Sequence, residues 1–130
     1  MNADQPETAI GTVRAYYQAL RNGDPLGPFF AAEPAVLKVG ISERLVGHDT
    51  VVDGLADQTE TTTDWTVESR DLTVTERDGW AWYHDDVNLS WTDTESGAEH
   101  DFETRWSGTL QNGESWQFVT LHVSTPEELD

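Results

Sequence analysis

The chain has 130 residues, of which 25 are acidic and 7 basic, giving a formal net charge of −18, and it contains no cysteine. That length bounds it to one domain, and the missing cysteine removes disulfides, thiolate nucleophiles and cysteine-based metal sites together. The charge has the wrong sign for phosphate backbones and anionic membrane surfaces, so neither nucleic acid nor membrane is expected as a partner.

No run of 18 apolar residues is present, and Met1-Asn2-Ala3-Asp4-Gln5 lacks the basic-then-apolar pattern of a signal peptide, so a cytoplasmic protein is expected. The acids are spread over nearly every segment, and Lys38 is the one lysine beside six arginines. Such a surface suits a high-salt cytoplasm, where screening to about 3 Å at 1 M removes the self-repulsion. The alternative is an acidic interaction surface.

Residues 5–21 read as the first helix. Asp4 or Gln5 can cap it, Pro6 suits its first turn, and Arg21 before Asn22-Gly23 suits its negative end. Ile10, Val13, Tyr17 and Leu20 recur at helical spacing and should meet a sheet. Tyr16 lies beside this stripe, either as a rim residue or as a phenol reaching into a pocket. Asp24-Pro25-Leu26-Gly27-Pro28 is turn chemistry before a short helical turn carrying Phe29 and Phe30. Residues 35–39 form a short strand, and Arg44-Leu45-Val46 pairs back on it as a hairpin. Residues 48–58 make a second helix with Val51, Val52 and Leu55 as its buried stripe, and His48 and Asp49 serve its start as cap and first-turn residues.

From Asp64 the pattern changes to sheet. Strands are predicted over 64–76, 80–91, 100–110 and 114–124, joined at Asp78-Gly79, at the loop 93–97 and at Asn112-Gly113. Four long strands with tight turns make an antiparallel meander. Strands of about 11 residues span roughly 36 Å and twist strongly, so the sheet should curl around the helices and leave a cavity. The whole chain, 1–130, is one α+β domain: N-terminal helices packed on a strongly curved antiparallel sheet, with 1–4 and 125–130 expected to fray. In the last strand, strict alternation puts Trp116, Phe118, Thr120, His122 and Ser124 on one face.

The sequence resembles the nuclear-transport-factor-2-like superfamily, in particular its SnoaL-like branch. The likeness is carried by Val13-Arg14-Ala15-Tyr16-Tyr17-Gln18-Ala19-Leu20, Val46-Gly47-His48-Asp49, Gly79-Trp80-Ala81-Trp82, Arg105-Trp106-Ser107-Gly108-Thr109-Leu110 and the closing strand with Trp116 and His122-Val123-Ser124. The resemblance implies a cone-shaped, cystatin-like α+β barrel with a pocket, and a homodimer through the outer sheet face. It does not imply one chemistry, because this fold hosts isomerases, dehydratases, epoxide hydrolases, cyclases and assembly domains. Ketosteroid-isomerase-like members carry a carboxylate base on the first short strand, where this chain has Lys38, and the Asp-Arg-Asp arrangement of epoxide-hydrolase members is not evident. What carries over is the pocket wall, at Arg105 and His122.

Alternation places Trp80, Trp82, His84, Asp86 and Asn88 on one strand face, and Asp101, Glu103, Arg105 and Ser107 on one face of the next. Arg105 is either paired with a nearby carboxylate such as Glu103 or Asp101, or a bidentate clamp for a ligand carboxylate. His122 is either a hydrogen-bonded wall histidine or a general acid–base. His84 and Asp86, two apart, can act together. Four scattered histidines show no ligand spacing, so neither a metal nor a cofactor is expected, and His100 should be solvated. The six tryptophans serve packing and dimer contact, or two or three of them line a cavity. The expected pocket is lined by Tyr16, Trp65, Trp82, His84, Asp86, Arg105 and His122, with His122 and Arg105 as catalytic candidates. It would take a small, partly apolar molecule for isomerisation, dehydration or cyclisation. The alternative is a non-catalytic dimerisation module with a vestigial pocket.

Overall fold

The computed structural model describes residues 6–126. Helix α1 runs over Ala9–Asn22 and starts at Thr8, whose hydroxyl accepts the Gly11 amide proton at 3.0 Å. That hydroxyl takes up one of the free amides of the first turn. The expected caps Asp4 and Gln5 lie outside the described residues. Val13, Tyr16, Tyr17 and Leu20 are buried, so the core face of α1 is wider than the Ile10, Val13, Tyr17, Leu20 stripe. At its far end Arg21 donates from Nε and Nη2 to the Val67 carbonyl, at 3.1 and 2.6 Å, which ties the helix to the sheet.

A 3₁₀ turn at Gly27–Phe29 leads to the β1–β2 hairpin, Leu37–Val39 and Arg44–Val46. Helix α2 spans His48–Thr61 and buries Val51 and Leu55. Its N-cap is Gly47, and no side chain caps it; His48 instead lies 3.4 Å from the Asp49 carboxylate. The remaining strands are β3 Thr62–Ser69, β4 Thr73–Arg77, β5 Trp80–Asp93, β6 Glu99–Asn112 and β7 Trp116–Ser124. The sheet order is β2-β1-β7-β6-β5-β3, with β4 also paired to β5. Two helices thus pack on a strongly curved, unclosed sheet.

Three features depart from the expected meander. First, the sheet is mixed: β1 runs parallel to β7, with Lys38 beside Leu121. Second, the expected strand 64–76 is two strands, both paired with β5. The break falls at Asp85, a buried carboxylate on the inner face of β5. It accepts from the Tyr17 hydroxyl at 2.9 Å, the Ser69 hydroxyl at 2.6 Å and the Asp71 amide at 2.9 Å. A side chain therefore replaces a rung of the ladder there and satisfies the backbone that leaves it. Burial first, and then the neighbouring carboxylate and phenol, push the Tyr17 hydroxyl pKa well above its ordinary value.

The third departure is a bulge in β7. Thr109 pairs with Thr120 and Leu110 with Phe118, so Val119 is an extra residue in that strand. Before the bulge Trp116 and Phe118 face inward; after it Leu121 and Val123 do, and all four are buried. Strict alternation is thereby reversed for Thr120, His122 and Ser124. At the β4–β5 turn the expected Asp78-Gly79 pair holds, both residues having positive φ (54° and 82°), the geometry of a two-residue hairpin. Of the tail expected to fray, residues 127–130 lie outside the described residues, while the Thr125 hydroxyl donates to the Glu103 carbonyl at 2.9 Å.

Candidate functional site

The core beneath α1 is aromatic. Tyr16 meets Phe29, Phe30, Trp106 and Phe118 edge-on at centroid distances of 5.3–6.3 Å, and Tyr17 meets Trp106 at 5.3 Å. Beside this cluster opens a cleft of about 460 Å³, within the range of small-molecule sites. One wall is the β1–β2 hairpin, with Lys38, Ile41, Glu43 and Leu45; another is α2, through Gly54, Asp57 and Gln58. The sheet supplies the third wall with Trp65, Leu89, Trp91, Trp106, Leu121 and Val123, and α1 closes the cleft with Tyr16 and Leu20.

Three of the polar groups in these walls are the Lys38 amine, the Glu43 carboxylate and the Tyr16 hydroxyl. Lys38 follows from strand alternation: Leu37 and Val39 face the other way, leaving its side chain inward and only 6% exposed. Its amine is paired with the Glu43 carboxylate across the hairpin turn. A buried ammonium needs such a partner, since an isolated charge there would be costly. The third group is the Tyr16 hydroxyl. Tyr16 is 2% exposed, lines the cleft and has no hydrogen-bond partner for its hydroxyl among the described residues. Burial, and secondarily the Glu43 charge, raise its pKa well above the ordinary phenol value, so it stays protonated and able to donate at neutral pH.

The tryptophans divide by role. Trp65 and Trp91 stack at 4.8 Å and line the cleft with Trp106, whose indole N–H donates to Thr104 at 2.9 Å. Trp116 is buried, whereas Trp80 and Trp82 are 50% and 47% exposed. His100, expected to be solvated, stacks on Trp91 at 5.0 Å and is half-buried.

Of the residues expected to line the pocket, Tyr16 and Trp65 do so. Trp82, His84, Asp86, Arg105 and His122 do not: all five are exposed on the opposite, outer face of the sheet. For β5 and β6 the alternation holds, but the inner face is the apolar set Ala81, Tyr83, Val87 and Leu89 with Trp106 and Leu110 opposite. For β7 the bulge turns His122 outward. His84 and His122 both flank Ser107 in register, and Asp86 is paired with Arg105, so these groups form one outer polar band far from the Tyr16 hydroxyl. Among the described residues no group of three or more histidine, aspartate or glutamate side chains is placed to hold a metal ion, and no helix is long and apolar enough to cross a membrane. Lys38, Glu43 and Trp91 were missed as site residues. The signal available was a single lysine alternating with Leu37 and Val39, five residues before a glutamate that a tight turn brings back to it.

The whole architecture recurs in solved structures. A candidate dehydratase of the nuclear-transport-factor-2-like family from Streptomyces avermitilis superposes with a TM-score of 0.77 at 18% identity, over 90% of this chain and 92% of that one. A ketosteroid isomerase-like protein from Erwinia carotovora gives 0.76 at 17% identity, over 98% and 100%. A candidate calcium/calmodulin-dependent protein kinase II association domain from Xanthomonas campestris gives 0.74 at 16%, over 99% and 94%. At these identities the likeness is one of fold. No curated protein matches the sequence. The SnoaL-like domain profile matches residues 11–128, nearly the whole chain, and the chain belongs to the SnoaL-like domain family.

Proposed function

We propose that the chain binds a small, partly apolar molecule in this cleft and moves a proton on it, in an isomerisation, dehydration or cyclisation. The observation that carries the reading is the meeting of Tyr16, Lys38 and Glu43 inside a cleft of about 460 Å³ that tryptophan and aliphatic side chains line together with Ser42, Asp57, Gln58, Thr61 and Thr62. In that arrangement Glu43 is the base, Lys38 holds it ionised and oriented, and the protonated Tyr16 donates to the oxygen on which charge develops. Relatives of the same fold described as a candidate dehydratase and as ketosteroid isomerase-like are in keeping with this class. The test is a crystallographic screen of flat ring compounds against the parent and against a Leu45→Trp variant that fills the cleft. Density between Tyr16 and Lys38 in the parent, lost in the variant, is expected. Binders that appear only elsewhere, or that ignore the plug, refute it.

A second surface carries its own observation. Two half-exposed tryptophans, Trp80 and Trp82, stand on the outer sheet face with His84, Asp86, Arg105 and His122. An aromatic patch with a polar band beside it suits a self-complementary contact, and we assign it to a homodimer. This is also the face on which a purely non-catalytic assembly role would rest. Light scattering in molar KCl should give twice the 14.5 kDa chain mass for the parent and the single mass for Trp82→Lys; a monomeric parent rejects the assignment. We read the evenly spread acidic residues as suited to a high-salt cytoplasm.

A further inference from the structure

We propose that the cleft selects flat organic cations, amines carried on a ring body, over neutral molecules and against carboxylates. This rests on the reading of the cleft as a small-molecule site and adds the charge class of its ligand. Among the described residues Lys38 is the one basic residue lining it, and its amine is already taken by Glu43. An incoming carboxylate would have to displace Glu43 or sit beside it, and it would also face the Asp57 carboxylate, exposed at the rim with no ion-pair partner among the described residues. Like charges brought into one cleft repel. Arg105, the group expected to clamp an anion, is on the other side of the sheet.

The same surround favours a cation. Trp65, Trp91 and Trp106 line the cleft, and aromatic rings attract organic ammonium groups through their quadrupole. Tyr16, only 2% exposed, offers a hydroxyl that no group among the described residues engages and whose oxygen can accept an ammonium N–H. At a net charge of −18 the long-range field concentrates cations and depletes anions at the mouth.

Three probes of one shape and different charge test this: 2-naphthylmethylammonium, 2-naphthylmethanol and 2-naphthoate, titrated calorimetrically into the parent protein at 0.1 M and 1 M KCl. The expected order is ammonium about tenfold tighter than alcohol, with naphthoate weakest, and the ratio contracts at the higher salt. Glu43→Gln frees the Lys38 amine and should raise naphthoate affinity above that of the ammonium probe. The double variant Lys38→Met/Glu43→Gln removes both charges of the pair, and should keep a smaller cation preference through Asp57. Equal binding of alcohol and ammonium, or naphthoate binding as tightly as either, overturns the charge selectivity while leaving the cleft a binding site. Failure of all three probes to bind overturns both readings.

Discussion

Replacing Asp85 with alanine removes the acceptor of three hydrogen bonds at once, and the three losses are unequal. Tyr17 is 1% exposed and fixed by α1, so its hydroxyl, now 2.9 Å from the carboxylate, has no path to water. A buried hydroxyl left unpaired costs about 1–3 kcal/mol. Ser69 and Asp71 are exposed residues, and water can replace the carboxylate at the Ser69 hydroxyl and the Asp71 amide, so each loses only the net worth of a charge-assisted bond, about 1 kcal/mol once rehydrated. Removing the carboxylate also relieves its own desolvation, which offsets part of the loss. The balance is about 3 kcal/mol out of the roughly 5–15 kcal/mol of an ordinary domain. The variant therefore folds, but its urea midpoint in molar KCl should fall by about 1–3 M. Asp85→Asn keeps one carbonyl oxygen for Tyr17 and should lose about half as much. Tryptophan fluorescence follows the transition, since Trp106 packs on Tyr17 at 5.3 Å. An alanine variant within about 0.5 kcal/mol of the parent would show that the desolvation cost cancels the network, and the reasoning would fail.

All three tyrosines, Tyr16, Tyr17 and Tyr83, have their hydroxyl pKa raised above the ordinary 10.0, burial being the largest cause in each. The folded state thus holds protons that the unfolded chain releases. Their contribution is intact below pH 10 and is lost as pH rises beyond it, at up to about 1.4 kcal/mol per unit for each phenol. Tyrosinate absorbance and loss of near-ultraviolet circular dichroism should rise together above pH 10; tyrosinate forming near pH 10 in a protein that stays folded contradicts this. At Gly108 an added Cβ would lie 2.7 Å from the Thr120 carbonyl oxygen and 2.8 Å from the Tyr83 ring. Gly108→Ala should cost about 1–3 kcal/mol and lower Tm by roughly 4–12 °C by calorimetry, and an unchanged Tm would refute the close approach. Removing salt lengthens the Debye screening from about 3 Å at 1 M to 30 Å at 0.01 M. The melting temperature should therefore fall steeply on dialysis, and a protein equally stable in both buffers does not need its acids screened.

The readable part of the fold was the part set by local chemistry. The α1 stripe, the Asp78-Gly79 hairpin and the alternation along β5 and β6 each depend on residues within a few positions of one another, and each stands in the structure. The parallel pairing of β1 with β7 joins Leu37 to Thr120, more than eighty residues away, and no local pattern announces it. The break between β3 and β4 depends on Asp85, whose partners lie on α1 and at the end of β3.

Five of the residues expected in the cleft stand outside it, for two physical reasons. Polar residues on β5, β6 and β7 were assigned to the cavity because chemistry needs polar groups, yet a strand face that is polar at every second residue is the face a sheet can leave in water. Only in β7 was the assignment by face itself reversed: one extra residue, Val119, lets Phe118 and Leu121 both point inward and sends His122 out. The inner face of the long strands is nearly all apolar, so the charges lining the cleft come from α2, with Asp57, and from the β1–β2 hairpin. Lys38 and Glu43 are near neighbours there, and the turn closes at Gly40, whose amide donates to the Glu43 carbonyl at 3.0 Å. A basic residue in a three-residue strand of otherwise aliphatic neighbours, followed by a glutamate at the turn, is thus a stronger sign of a pocket ion pair than a histidine on a long alternating strand. The hairpin can supply both charges without breaking the core, because β1 is paired with β7 on one side and with β2 on the other.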